Sequence, residues 1–374
     1  MLAFAMLLVL LAGALVYSTL TIFAARRYLA VRPAAVSGLP EAISILKPLA
    51  GLDQELESNL RTFFCQDYAS FEILFAVRSA DDPAAKVVEK LQGEYPDVVS
   101  RLLIVGEPPY ANAKVHSLAR MIEEASHDLV VMSDSDVRVA PDLLKIATAE
   151  FQNPAVGVAT CPYRAVAGRS FWSRLEAIGM NTDFLAGILV ARLIEGMRFA
   201  VGPTIIARRR VIEAIGGFDR LKDFLAEDFA MGKFAADAGY LVILSSYAIE
   251  HHIGSSDFRH NAAHRLRWVR STRRSRPLGY LGQIFTMPLP LAAIAAIVNP
   301  SWWSILPVAM AIRAAAAAAI SNGVLGVRVN WLLLPVEDFA AFCFWIAGFF
   351  GNTITWRGRR YRLRSDGRFE LMAR

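Results

Sequence analysis

The stretch LVVMSDSDVRV, residues 129 to 139, runs four apolar residues into two carboxylates, Asp134 and Asp136, with a single serine between them. A solvated turn closing a buried strand would use the same residue types, so the neighbouring segments must decide its reading. Upstream, ISILKPL, EILFAVRS and RLLIVGE are further short β-like runs. They alternate with helical stretches such as DPAAKVVEKLQGEY and AKVHSLARMIEEA. This is the rhythm of βαβ units, and strands apolar on both faces belong in a mostly parallel sheet covered by helices. Ligands of such sheets bind beyond the carboxyl ends of the strands, and the two acids of DSD lie at one of those ends.

Two carboxylates held at a strand end present hard oxygen ligands to Mg²⁺ or Mn²⁺, whose remaining positions a diphosphate and water can fill. The chain contains neither G-x-x-x-x-G-K-[ST] nor G-x-G-x-x-G, which argues against an ATP-hydrolysing P-loop and a dinucleotide site. A nucleotide sugar remains as the common diphosphate donor. In RSADDPA, Asp82 follows the second strand, where a carboxylate reads either as a nucleoside contact or as a helix N-cap. In FLAEDFAMG, Glu227 and Asp228 open a helical run, as terminal acids favoured by the helix dipole or as a source of the base that a transferase needs. Lys114 in NAKVHSL is a candidate diphosphate contact by charge. In HRLRWVRSTRR, Arg267 offers a phosphate clamp and Trp268 a flat face for a sugar or acceptor chain. His251 and His252 follow the run LVILS as structural residues or as metal or acceptor contacts.

The hydrophobic fraction of 55% is high for a soluble chain, and the apolar residues gather at the two ends. Residues 2 to 25 are long enough to cross a hydrocarbon core at about 20 residues, and Arg26, Arg27 and Arg32 follow them. A cleaved signal peptide would carry its charges in front. The pattern predicts a retained anchor with the middle of the chain, roughly 40 to 275, on the cytoplasmic side. Further apolar stretches near 284–298, 302–326 and 331–354 are broken by prolines, and a cytoplasmic basic tail would require one of them to be interfacial or re-entrant. Arg313, Glu337 and Asp338 lie inside them, where charges are costly and pair; pairing of Arg313 with Glu337 or Asp338 is expected. The formal charge of +6 comes largely from clusters at Arg265 to Arg276 and Arg357 to Arg364. Beside apolar spans these point to anionic phospholipid head groups rather than to nucleic acid. Three scattered cysteines, Cys65, Cys161 and Cys343, form neither a zinc knuckle nor a disulfide framework.

The ordered set Asp82, Asp134, Asp228 and then Arg267-Trp268 resembles the D, D, D, (Q/R)xxRW signature of membrane-bound family 2-like glycosyltransferases. Within that group the chain resembles the ceramide glucosyltransferases of family 21 and their hopanoid-glycosylating relatives. Supporting stretches span nearly the whole sequence: ILKPLAGLD at 45–53, NAKVHSL at 112–118, ATCPYRA at 159–165, GGFDRL, AEDFAMGK and WRGRRYRLR. The resemblance implies an α/β fold of GT-A type between N-terminal and C-terminal transmembrane helices, and inverting transfer from a UDP-sugar. It places Asp82 near the nucleotide, Asp134 and Asp136 at the diphosphate and the Mg²⁺ or Mn²⁺, Asp228 as base, and Arg267 and Trp268 at the donor site. His264 stands where the signature has Gln or Arg. The implied plan is an anchor at 1–25, a GT-A domain at 40–258, a basic interfacial segment at 259–280, a membrane region at 281–354 and a basic tail at 355–374.

For the acceptor, the resemblance points to the primary hydroxyl of ceramide, with glucose as the sugar. Transfer of N-acetylglucosamine from its UDP donor to a hopanoid polyol is the alternative within the same chemistry. A nucleotide-sugar-binding membrane protein without turnover is the alternative from another class. The expected setting is a bacterial inner membrane with the catalytic domain in the cytoplasm.

Overall fold

The computed structural model describes residues 2–31 and 41–372; Arg32 and the expected domain start at Pro40 lie outside the described residues. The first element, α1 (Leu2–Leu29), takes in Arg26 and Arg27 in its last turn. The central domain then follows the expected alternation: β1 (Ile43–Pro48), α2 (Leu56–Phe64), β2 (Phe71–Val77), α3 (Pro83–Glu94), β3 (Ser100–Ile104), α4 (Ala113–Glu124) and β4 (Leu129–Ser133). After the acids come β5 (Val137–Arg138), α5 (Leu143–Glu150), β6 (Val156–Thr160) and β7 (Tyr163–Ala167). Then α6 (Phe171–Gly179) passes through a π-helical turn into α7 (Leu185–Glu195), before β8 (Thr204–Arg208), α8 (Arg209–Ala214), α9 (Glu227–Asp237), β9 (Leu241–Leu244) and β10 (Ile249–Ile253).

Seven strands form one sheet in the order β3-β2-β1-β4-β8-β6-β9. Only β8 runs against its neighbours β4 and β6; the other pairings are parallel. Strand alternation sends Ile43, Ile45, Ile73, Phe75, Leu129 and Val131 into one buried cluster with α2, α3 and α5. Leu46, Leu74, Ala76, Val130 and Met132 enter the opposite cluster with α4, α8 and α9. Both faces are therefore covered, which is why these strands read as unbroken apolar runs. The chain order reverses between β1 and β4, so the crevice beyond their carboxyl ends is the topological switch point. A second sheet, β5-β10-β7, sits beside it.

The C-terminal part comprises α10 (Phe258–Ser275), α11 (Pro277–Gly282), α12 (Pro288–Val298), α13 (Ile305–Ala318) and α14 (Leu334–Gly348). It ends in an antiparallel sheet of β11 (Thr353–Trp356), β12 (Arg359–Leu363) and β13 (Phe369–Leu371). By length and composition Leu2–Leu29, Phe171–Glu195 and Ile305–Val324 are each able to cross a membrane, while Pro277–Thr286 and Pro288–Val298 are bent by 65° at their junction.

Several expectations change here. The segment Phe171–Glu195, placed in the soluble middle, is an apolar helix; Leu185, Leu189 and Val190 pack with Ala24 and Ala25 of α1. Helix α14 has 15 residues, short of the roughly 20 that span a hydrocarbon core. The basic cluster assigned to lipid head groups is largely satisfied by protein: Arg265 grips Glu337 at 2.9 and 2.6 Å, and Arg273 and Arg274 donate to Asn352 Oδ1. Residues 353–371, the bulk of the expected basic tail, form β11 to β13 and pack against Leu225 of the domain. The expected pairing does form: Arg313 binds Asp338 at 2.8 Å, with Asp183 at 2.9 Å.

Candidate active site

Helix α4 begins beside the switch point because Asn112 caps it, its side chain accepting from Val115 N at 3.1 Å. That start aims Lys114 at the end of β4, where its Nζ lies 2.6 Å from Asp134 Oδ1 and 3.0 Å from Glu227 Oε1. Burial opposes the charge on Lys114, but Asp134, Glu227 and Asp228 outweigh it and hold the ammonium firmly protonated. Lys114 is thus the hub between the DSD acids and the acids of α9, although its own segment also reads as an ordinary surface helix.

The DSD turn is held from below by Lys47 of β1, a fully buried lysine. Its Nζ donates to the Asp134 carbonyl and to Ser133 Oγ and lies 3.8 Å from the centre of the Phe63 ring. Burial lowers its pKa to about 7, against the pull of Asp134 and Asp136. From the second sheet, His251 Nε2 comes within 3.1 Å of Asp136 Oδ2, and His252 N donates to the Asp136 carbonyl at 2.8 Å. Of the two histidines, His251 is the one whose ring meets the DSD carboxylates; that of His252 lies beside Glu250 at 3.2 Å.

Burial favours protonation of both Asp134 and Asp136. At Asp136 His251, Lys47 and Arg357 overcome it and keep the carboxyl well below its usual range, whereas at Asp134 burial prevails over Lys114 and the pKa is raised. Asp136 Oδ1 is buried and, among the described residues, has no hydrogen-bond partner. A desolvated, ionised, unpartnered oxygen suits a cation. Among the described residues no three His, Cys, Asp or Glu side chains converge to cage a metal unaided. One or two carboxylates completed by substrate phosphates is the ordinary Mg²⁺ arrangement, so these residues fit such an ion.

Across Lys114, α9 presents Asp228. Its Oδ2 accepts from Gly202 N at 2.5 Å and its Oδ1 from Phe229 N at 2.7 Å. Burial, reinforced by Glu227 and opposed by Lys114, pushes its pKa up to about 6. Gly232 makes this placement possible: a Cβ there would lie 2.1 Å from Ala200 N and 2.4 Å from Phe199 C. Glu227 is an orienting residue, shared between Lys114 and Asn112.

Asp82 caps α3 through Ala84 N at 3.0 Å, and its two oxygens also accept from Gly51 N at 3.0 and 3.1 Å. The cap reading therefore holds, and the same carboxylate braces the loop after β1. On α10, Trp268 joins a chain of tilted and edge-on rings, 5.8 Å from Phe184, which lies 5.1 Å from Tyr163, itself 5.3 Å from His251. Arg267 lies 5.7 Å from the Trp356 ring in the field of Glu227, Asp134 and Asp136. His264, the departure from the signature, pairs through Nδ1 with buried Glu176 and packs 4.7 Å from Trp268. It holds the tryptophan's helix in place.

The ordered acids, the Arg-Trp pair and the switch-point crevice agree with a family match that covers residues 6–369, to glycosyl transferase family 21. The chain belongs to this family. Ceramide glucosyltransferase 1 of Caenorhabditis elegans is 30% identical over 207 residues, 55% of this chain and 44% of that protein. Ceramide glucosyltransferase of Komagataella phaffii is 36% identical over 126 residues, 33% and 24% of the respective chains. The matches thus span less than half the length of either relative. Among solved structures, a Pyrobaculum calidifontis mannosyltransferase in complex with GDP-mannose and Mn²⁺ superposes with a TM-score of 0.55 at 20% identity, covering 92% of this chain and 97% of that one. That likeness supports the GT-A-type fold.

Lys47 and Arg357 were not singled out as site residues in the sequence. Both lie within stretches that carry the family resemblance, ILKPLAGLD and WRGRRYRLR, which was the available signal.

Proposed function

We propose that this protein transfers a sugar, glucose in first place, from a UDP-sugar to the primary hydroxyl of a membrane lipid, with a ceramide as the acceptor. The observation that carries this reading is the placement of Asp228, whose carboxyl pKa burial pushes up to about 6 and whose oxygens accept from Gly202 N and Phe229 N, across from Lys114, which bridges Asp134 to the neighbouring Glu227. Membership of family 21 and the names of the curated relatives support the lipid acceptor; the apolar helices beside the domain supply a place for it.

In this mechanism the acceptor hydroxyl attacks the anomeric carbon from the face opposite UDP, and its proton passes to Asp228. The Gly202 and Phe229 N–H groups orient the carboxylate, and burial lifts its basicity towards neutral pH. UDP departs with its negative charge met by Lys114 and Arg267, and Asp82 stands near the nucleoside. Asp134 and Asp136 would hold Mg²⁺ or Mn²⁺, which when bound supplies charge compensation for the diphosphate.

The test is expression in a host lacking glycolipids but supplied with ceramide, followed by lipid extraction and mass spectrometry. A hexosyl-ceramide is the expected product. An N-acetylhexosamine adduct on another polyol lipid would move the substrates within the same reaction, and the absence of any glycosylated lipid would contradict the reading.

A further inference from the structure

The turn joining β11 to β12 consists of two residues, Arg357 and Gly358, with Trp356 paired to Arg359. Both have positive φ, 48° and 75°. Two-residue hairpins of that kind favour Asn-Gly, Asp-Gly or Gly-Gly, and a long side chain at the first position carries a backbone cost. Among the described residues only Glu55 shares this condition outside glycine. Strain retained at one residue invites the question of what that side chain reaches.

Arg357 reaches the mouth of the switch-point crevice. Its guanidinium grips Asp53 with two bonds of 3.1 Å and donates to the Ala50 carbonyl at 2.8 Å. Asp53 in turn accepts from Ser135 Oγ, the spacer between the two DSD acids. The charges of Asp136 and Asp134 also act on Arg357, after that of Asp53. The adjacent Trp356 ring lies 5.7 Å from Arg267, so the hairpin tip reaches from the loop after β1 to the Arg-Trp helix.

The body of the hairpin is fixed. Ile354, Tyr361, Leu363 and Phe369 pack with Leu225, in the loop that leads into Glu227 and Asp228, and Phe369 N donates to the Asp223 carbonyl at 2.9 Å. The tip differs: the Arg357 side chain is 49% exposed, against 10% for Arg265 and 3% for Arg313 in their buried ion pairs. A half-exposed guanidinium fork closed on one carboxylate has the geometry that a phosphate also takes.

We propose that Arg357 is a donor-binding residue, parked on Asp53 until a nucleoside diphosphate sugar arrives and then transferred to the diphosphate oxygens. The inference rests on reading the crevice as a UDP-sugar site. It gives the C-terminal hairpin a role as the clasp on the donor's leaving group, with Asp53 as the placeholder anion.

The test is calorimetric titration of UDP with Mg²⁺ into the full-length protein in detergent, alongside thermal unfolding without ligand. Arg357→Gln weakens UDP binding about tenfold or more, as expected for loss of charge-assisted bonds. Arg357→Gly relaxes the backbone at the positive φ, so it matches or exceeds the wild-type melting temperature while losing UDP affinity to the same degree. Asp53→Asn, which frees the arginine, leaves UDP affinity at or above wild type. Variants at Arg357 that bind UDP within twofold of wild type overturn the proposal, as does a loss of affinity shared by Asp53→Asn and Arg357→Gln with a lowered melting temperature. Absence of UDP binding by the wild type would instead remove the donor reading itself, and this inference with it.

Discussion

At the scale of single residues, the site depends on unequal treatment of similar acids. Asp136 is kept ionised by His251 and Lys47 while one of its oxygens has no hydrogen bond among the described residues; Asp228 is pushed towards protonation by burial, with Glu227 beside it adding to the effect. The first arrangement suits a cation and the second a base. Asp136→Asn should therefore weaken UDP binding strongly when Mg²⁺ or Mn²⁺ is present and little when a chelator is present. Titration of UDP under both conditions checks this, and equal wild-type affinity with metal and with chelator would remove the metal role. The DSD acids and Asp228 were legible in the sequence because a strand end and a helix start are local signals. Lys47 was not: a lysine in ILKPL looks like a strand-end charge until β4 is laid beside β1. Asp82 was legible as either cap or ligand because one carboxylate serves the same local geometry in both readings.

Among the elements, α9 shows how packing sets chemistry. The helix lies against Phe199 and Ala200 only because Gly232 has no side chain, and two residues further on Gly202 N reaches Asp228. In an isolated helix Gly→Ala stabilises by about 1 kcal/mol. Here the added methyl meets backbone, so Gly232→Ala should instead destabilise by about 1–3 kcal/mol and lower turnover, which thermal unfolding and a transfer assay would measure together. Whereas α2 was not read, the four leading strands and the helices α3 and α4 were legible from their alternation. The Phe171–Glu195 helix was less so, since Asp183 and the polar run MNTD interrupt its apolar pattern; Arg313 approaches that carboxylate only in the assembled bundle. The protein partners of the α10 arginines were hidden for a related reason. Charge count beside an apolar span suggests lipid head groups, but Glu337, Asn352 and the carbonyls at 349 and 351 are their partners here.

For the whole molecule, a GT-A-type domain is joined to apolar helices through the Phe171–Glu195 segment and α10, and the C-terminal hairpin returns to the crevice. This return could not be read from the sequence, because WRGRRYRLR has the composition of a solvated tail and its contacts are distant in the chain. The arginines after the first apolar stretch predict that the domain faces the cytoplasm, an orientation that labelling can test. Cys65 supplies a natural reporter: it is exposed on the domain, whereas Cys161 is buried. In a Cys343→Ser background an impermeant maleimide should leave Cys65 unlabelled on intact cells and label it after permeabilisation. Labelling on intact cells would reverse the orientation.

The central claim is that Asp228 takes the acceptor's proton. The most direct measurement is turnover against pH at saturating UDP-sugar, for the wild type and for Asp228→Asn, with donor affinity measured in parallel. If the Asp228 carboxylate is the base, it acts in its ionised form, and burial pushes its pKa up to about 6, so wild-type turnover should rise about tenfold per pH unit below that value and level off above it. Asp228→Asn should keep donor affinity, lose that limb and turn over more slowly by roughly 10² or more. A variant with nearly full turnover and the same pH profile would contradict the account.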